Sequence, residues 1–295
     1  MKSDSGLTLV ELLVSAIIVL IVFAMVFTAF IQTRKISLRN QMDAEIIQNA
    51  RIGLDEMVRT IRMIGYRRDR EHGQVAIIEV APFQIIFNAD LYQNKSALPP
   101  GVSINLYDAT IYTSPMQNYT TRAETIRWTL DTSDDGIVDQ GDTNDNVEER
   151  NTSRNPNDMV FIKEINGGRD DQVTLGTLGP YDVNDQPTYI TPMFQYWVLD
   201  SIDRIDDTYI SCQSRFSSYS TFVPYSTFFL LGDSNCDSKL DGDECYFRSI
   251  TSQTILKKVR RIQITVISES DRKDPLNSTQ HRRVTLSSEV SLRNL

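Results

Sequence analysis

The sequence GLTLVE, residues 6–11, decides the fold of this 295-residue chain. It follows a short polar head, residues 1–5, and opens an almost uninterrupted apolar run at residues 12–31. An ordinary secretory signal places its positive charge first, its apolar run next and its small-residue cleavage site last. Here Gly6 precedes the apolar run, so that cleavage after it leaves the apolar helix on the mature protein. Glu11 is unusual there, because a carboxylate within hydrocarbon costs about 2.5 kcal/mol or more unless it finds a partner.

This arrangement resembles the prepilin leader of type IV pilins and of type II secretion pseudopilins. The resemblance implies that prepilin peptidase cuts after Gly6 and N-methylates the new terminus at Leu7. Glu11 is then the fifth mature residue, where the family keeps a glutamate that pairs with the terminal amine of a neighbouring subunit in the filament. Leu7 departs from major pilins, which usually have phenylalanine there, whereas minor pilins and pseudopilins vary more. The alternative is a plain signal anchor that carries a stray glutamate.

The apolar run has the length of a membrane span. As a helix, residues 12–31 cover about 30 Å, one hydrocarbon thickness. Only Lys2 precedes the run, whereas Arg34, Lys35 and Arg39 follow it, so a positive-inside count alone puts the C-terminal part in the cytoplasm. The leader requires a cytoplasmic head, however, and large domains translocate largely regardless of charge. The resemblance therefore implies a single-pass protein of the bacterial inner membrane whose C-terminal domain is exported and later reaches a pilus at the cell surface.

The helical pattern continues beyond the membrane segment. Apolar residues recur there at three- and four-residue steps, with charged residues between them. These are Met42, Ile46, Ala50, Leu54, Met57, Ile61 and Ile64. The pattern ends at Gly65-Tyr66, which we interpret as a helix stop. We predict one helix over residues 7–64, about 85 Å long, with a weak point at Gly53.

The remaining residues, 66–295, suffice for one domain with a core. Strands are predicted at residues 75–80, 84–87, 124–130, 159–165, 193–199, 261–267 and 283–292. The last run alternates, with Val284, Leu286, Ser288, Val290 and Leu292 on one face and Arg283, Thr285, Ser287, Glu289 and Ser291 on the other. Residues 124–130 alternate in the same way, with Ile126, Trp128 and Leu130 on one face.

The predicted fold class is α+β and pilin-like: a long N-terminal helix, transmembrane and then amphipathic, packed on a mostly antiparallel sheet. The predicted divisions are a leader (1–6), the transmembrane half of the helix (7–33), its amphipathic half (34–65) and an exported globular domain with acidic loops (66–295).

Two acidic segments follow the spacing of a calcium-binding loop, with ligands at positions 1, 3, 5, 7, 9 and 12. The first would use Asp131, Ser133, Asp135, the backbone carbonyl of Ile137, Asp139 and Asp142. The second would use Asp233, Asn235, Asp237, the backbone carbonyl of Lys239, Asp241 and Glu244. Calcium, which takes six to eight oxygens, is the predicted structural ion. The alternative is that both are solvated turns in a chain of net charge −9.

Three cysteines, Cys212, Cys236 and Cys245, lie in the part expected to be exported, where disulfides persist. Cys236 and Cys245 bracket most of the second acidic loop and are the candidate disulfide. The pairing stays open, because three cysteines leave one over.

Catalytic and nucleic-acid functions have little support in the sequence. No catalytic motif is present, and the two histidines, His72 and His281, stand in charged, surface-like contexts. The basic run at 257–261 fits a solvated strand edge, and the acidity of the chain argues against a strong grip on phosphates. The aromatic- and serine-rich stretch 216–229 is interpreted as a core strand, with a subunit-facing patch as the alternative.

The helix end RMIGY (62–66) and the closing LRN (292–294) resemble PilW-type minor pilins. That resemblance implies a non-enzymatic subunit that helps initiate or cap a type IV pilus. Its implied partners are other minor and major pilins, prepilin peptidase, the pilus assembly platform and the inner membrane, with no nucleic acid. Two alternatives are a J-type pseudopilin of a type II secretion system and a membrane-anchored calcium-dependent adhesin or binding module.

Overall fold

The computed structural model describes the chain in eleven parts, which contain the N-terminal helix and a sheet. The described residues are 9–68, 74–90, 123–132, 138, 140–143, 155–165, 168–180, 184, 191–200, 227–231 and 249–293.

Helix α1 runs without a break over Leu9–Ile61, 53 residues, or about 80 Å. It ends three residues earlier than predicted, because the N–H groups of Met63 and Ile64 bond three residues back rather than four. The backbone leaves right-handed helical geometry at Gly65, close to the predicted stop, although α1 itself ends at Ile61. Gly65 has a φ of +73°, which glycine adopts at no steric cost, and its N–H donates to the Asn88 carbonyl at 2.8 Å. Gly53 is buried and does not interrupt the helix.

The described strands form one antiparallel sheet. They are β1 (Ile77–Ala81), β2 (Gln84–Ala89), β3 (Glu124–Thr129), β4 (Asp158–Ile165), β5 (Gly168–Leu178), β6 (Phe194–Asp200), β7 (Thr227–Leu230), β8 (Val259–Lys273) and β9 (His281–Ser291). Their order is β1-β2-β3-β4-β5-β8-β6-β7, and β9 pairs with β8. A one-turn helix, α2 (Gln253–Leu256), precedes β8, and a short 3-10 helix covers Gln140–Asp142. The predicted α+β class, a long helix on an antiparallel sheet, is confirmed.

Strand β8 is the junction of this sheet. Strand β9 follows one edge of β8, pairing from Arg261↔Ser291 onward. The other edge of β8 pairs with β6 along residues 259–264 and with β5 at Ser268. Two parts of the sheet that are distant in sequence therefore meet on one strand.

The C-terminal half of α1 packs on β5, β8 and β9. The predicted apolar stripe forms this contact: of its seven residues, six are buried and Met42 is half-buried. Trp128 of β3 is fully buried and stacks on Phe161, with ring centroids 5.2 Å apart. Its indole N–H donates to the Thr60 hydroxyl at 3.0 Å, so that a buried polar atom of the sheet is satisfied by the helix.

Each predicted strand overlaps an observed one, and the alternation of β9 is confirmed. Its apolar face is buried or half-buried, and its polar face is exposed. Strand β3 is different, since its polar residues Arg127 and Thr129 are buried as fully as Trp128. Strand β5 was not predicted, because its sequence GRDDQVTLGTL opens with charged residues and lacks a clear apolar alternation. Within the stretch 216–229, the described part belongs to β7, which pairs with β6; the strand is therefore observed, and its place in the core stays a prediction.

Candidate assembly site

The N-terminal half of α1 projects from the domain as an exposed apolar helix. By length and composition it contains one stretch able to cross a membrane, and none of that stretch is buried. Side chains such as Leu9, Leu20 and Phe23 are more than two-thirds exposed. Contiguous exposed apolar surface of this size requires a membrane or a protein partner to cover it.

Glu11 is an acidic residue within this apolar surface. It lies in the first turn of the described helix and is exposed. The neighbouring Ser15 hydroxyl donates to the Leu12 carbonyl at 2.8 Å, a bond that satisfies this hydroxyl within the helix. A carboxylate within hydrocarbon carries a cost that a cationic partner offsets, so Glu11 is the candidate residue for pairing with a cation on this surface. Gly6 and Leu7 lie outside the described residues, and processing there stays a prediction.

Ion pairs hold α1 to the β8–β9 hairpin where the exposed half of the helix begins. Arg282 of β9 donates to both carboxylate oxygens of Asp43, at 2.9 and 3.0 Å. Arg39 lies 3.4 Å from Asp274, the residue that follows β8. Hydrogen bonding to Asp43 holds the pKa of the Arg282 guanidinium above its usual range. We call these two contacts, Arg39–Asp274 and Asp43–Arg282, the helix–hairpin ion pairs.

A second polar contact joins α1 to the sheet nearer its C-terminal end. The Lys163 ammonium of β4 lies 3.0 Å from the Glu56 carboxylate and 5.6 Å from the centroid of the Trp128 ring. This contact and the helix–hairpin ion pairs fix the direction in which the apolar half projects. Sequence analysis missed them, because each joins residues more than a hundred positions apart and each charge alone looks like solvated surface.

The first acidic loop is described only at its ends. The Asp142 carboxylate accepts from the backbone N–H and the hydroxyl of Thr132, at 2.6 and 3.1 Å. Asp131 is buried against the Arg127 guanidinium. The predicted ligands at positions 1 and 12 are thus brought to the same place, but protein donors engage both carboxylates. Ser133, Asp135, Ile137 and Asp139 lie outside the described residues.

The whole second acidic loop, Asp233, Asn235, Asp237, Lys239, Asp241 and Glu244, lies outside the described residues, as do the cysteines Cys212, Cys236 and Cys245. Calcium binding and the disulfide therefore stay predictions.

Calcium is expected to raise the melting temperature of the purified protein, because a ligand that binds only the folded state stabilises it by mass action. Magnesium should do less, since it demands a tighter octahedron. Asp135→Ala and Asp237→Ala should each lower the calcium stoichiometry by one site in calorimetry, whereas Asp55→Ala, an exposed aspartate on α1, should not. Absence of binding at millimolar calcium, with the cysteine redox state controlled, would leave both loops as solvated turns.

Arg127 forms a buried ionic cluster on the face of the sheet away from α1. Its guanidinium donates to Gln84 at 2.8 Å, to Glu164 at 3.3 Å and to Asp131. Gln84 in turn donates to Glu79 at 3.1 Å. Burial raises the pKa of Glu79, against the opposing effects of hydrogen bonds from Ser249 and Gln84 and of the positive charge on Arg127. This one cation compensates several buried carboxylates.

Comparison with known proteins gives one match, at the N-terminus. Residues 1–27 match the family described as "Prokaryotic N-terminal methylation motif". No curated protein and no solved structure matches the chain.

The match supports the type IV pilin superfamily, and thus a pilin-like or pseudopilin-like protein. The long apolar helix and the antiparallel sheet are consistent with a pilin-like fold. Proteins of this class are structural rather than catalytic, and they interact with other pilins and with pilus machinery. Attachment to a membrane through the apolar part of α1 is consistent with this class.

Proposed function

We propose that this chain is a minor pilin, a non-enzymatic subunit that is held in the inner membrane by α1 and helps initiate or cap a type IV pilus. The observation that carries the proposal is the sharp change along α1. One unbroken helix is wholly exposed and apolar in its first half and packed on a large sheet domain in its second. The same apolar surface can be covered by lipid before assembly and by neighbouring helices afterwards. The size of the domain favours a minor over a major subunit.

Deletion of the gene tests this role against its alternatives. A minor pilin predicts loss of surface pili while secretion of folded exoproteins continues. Loss of secretion with normal piliation would instead identify a J-type pseudopilin. If pili and secretion both persist while calcium-dependent attachment to a ligand is lost, the chain is an adhesin or binding module.

Glu11→Leu should leave membrane insertion intact or improved, because the substitution removes a costly charge from an apolar segment. Recruitment into pili should nevertheless fall about ten-fold or more, because the terminal amine of a neighbouring subunit is left buried without its counter-charge. Immunoblots of membrane and sheared-pilus fractions measure both quantities.

Val10→Leu is the matched control, an apolar exchange at the adjacent exposed position, and it should assemble normally. Equal recruitment of the Glu11→Leu and Val10→Leu proteins would show that the carboxylate is not used in assembly.

A further inference from the structure

The turn between β8 and β9 lies beside the point where α1 leaves the domain. The helix–hairpin ion pairs fix this position: Asp43 contacts Arg282, and Arg39, one helical turn closer to the apolar half, contacts Asp274. The hairpin therefore runs alongside α1, and its Asp274 end lies closer to the apolar half of the helix than Arg282 does. The tip of the turn, residues 275–279, lies beyond Asp274.

The tip lies close to the layer of lipid headgroups if residues 12–31 span the hydrocarbon. Arg39 is eight residues beyond Ile31, which corresponds to about 12 Å of helix rise. Leu276 is two residues beyond Asp274, in a turn whose Asn277 N–H bonds back to the Asp274 carbonyl, so the tip lies somewhat closer to the hydrocarbon than Arg39 does. One headgroup layer is about 6 Å thick, so the tip is close enough for the long side chains next to it to reach that layer.

The chemistry of the tip fits an anionic bilayer surface. Outside α1, Leu276 is the one large apolar residue that is exposed among those whose side chains the structure describes, at 50%. Two exposed basic residues precede it in sequence: Lys273, and Arg272, whose side chain is 66% exposed and lies 3.6 Å from the Asp271 carboxylate. Residues 34–43 and 271–283 together carry seven Lys and Arg and three Asp. This excess of positive charge contrasts with the net charge of −9 of the whole chain.

The turn is held in shape by its own hydrogen bonds. The Asp274 carboxylate accepts from the Leu276 N–H at 2.8 Å, and the Asp274 carbonyl accepts from the Asn277 N–H at 3.0 Å. The Thr279 hydroxyl donates to the Asn277 side chain at 2.7 Å. Leu276 is therefore presented outward by a preformed turn, so that contact with lipid costs little ordering entropy.

We propose that the β8–β9 turn is a second membrane contact, in which Leu276 enters the interface and Arg272 and Lys273 bind the phosphates of anionic phospholipids. This inference rests on the membrane insertion of α1 in the proposed function. The occupant is the bilayer surface, because the turn adjoins the membrane span along the same helix. A contact at this point sets the orientation of the domain on the membrane before the subunit joins a filament.

Photo-crosslinking of the full-length protein tests the contact. The residue p-benzoylphenylalanine replaces Leu276, and the protein is reconstituted in vesicles of phosphatidylethanolamine and phosphatidylglycerol. Irradiation should produce phospholipid adducts, detected by mass spectrometry. The same residue in place of Thr285, exposed in the middle of β9, should give none. When p-benzoylphenylalanine replaces Val19, within the span, its lipid adducts report the insertion of α1 independently.

Charge reversal and lipid composition test the ionic part. Arg272→Glu with Lys273→Glu should lower the adduct yield at position 276 by about five-fold or more, given the attraction of each basic residue to an anionic surface. Vesicles of phosphatidylcholine alone should lower it similarly. Lys257→Glu, an exposed lysine at the opposite end of β8, should leave the yield unchanged.

Lipid adducts at position 19 without adducts at 276 would overturn the second contact while membrane insertion stands. Absence of adducts at both positions would overturn insertion and the contact together. Crosslinking of position 276 to a second copy of the chain, in place of lipid, would also overturn the proposal.

Discussion

Gly6→Val should abolish processing and leave the full-length precursor in the membrane. A peptidase that cuts after glycine binds the backbone closely at this position, because glycine has no side chain. A β-branched side chain there would prevent that close contact. Intact-mass analysis of the membrane-extracted wild-type protein should show a chain that begins at N-methylated Leu7, whereas the variant should retain Met1.

The matched control is Ser5→Val, which places the same side chain one residue before the junction and should be processed. An unprocessed wild-type chain in cells with active prepilin peptidase would contradict the leader interpretation, and with it the proposed route into a filament.

Arg127→Ala should lower the free energy of unfolding by about 3–5 kcal/mol, the usual cost of leaving buried charges uncompensated. Arg127 is 1% exposed and is the cation between Asp131 and Glu164, which are 0% and 2% exposed. For a domain of this size the loss corresponds to a fall in Tm of roughly 10 °C. Denaturant titration of the detergent-solubilised protein measures the change.

Arg261→Ala is the control, because it removes the same side chain from a half-exposed pair with Glu289 at 3.0 Å. Such pairs contribute about 1 kcal/mol or less. Arg127→Lys should fall between the two, since it keeps the charge but loses the planar fork that reaches three partners. Equal effects of the two alanine variants would show that the Arg127 cluster is solvated.

The sequence predicted the features that depend on local periodicity. The apolar stripe of α1 and the alternation of β9 repeat at helical or strand spacing, so neighbouring residues alone reveal them. The glycine at position 65, just after the helix, is a local signal too. Strand β5 was not predicted, because the charged residues at its start obscure the two-residue alternation of a strand. The Arg127 cluster escaped for a different reason: a buried arginine and a solvated one look alike in sequence, and only the pairing of β2, β3 and β4 brings Gln84 and Glu164 to it.

The candidate assembly site also contains one feature that local sequence reveals and others that it does not. Glu11 was identified because a charge interrupts an apolar run, which is a local signal. The helix–hairpin ion pairs join residues 39 and 43 to residues 274 and 282, and no pattern within either segment indicates its partner. Contacts of this kind follow from the topology of the chain, which sequence patterns leave undetermined.

The position of β8 in the chain has a consequence for folding. A ribosome makes β8 and β9 after all the other described strands, yet α1 packs on both of them and β8 is the strand at which β5 and β6 join. The first 250 residues therefore emerge without the partner that completes their sheet, and pairings across such sequence distances form slowly. The sheet cannot close until residues 259–291 have been synthesised, so a chain truncated before β8 would expose the apolar side of α1 and the unpaired sheet edges to aggregation.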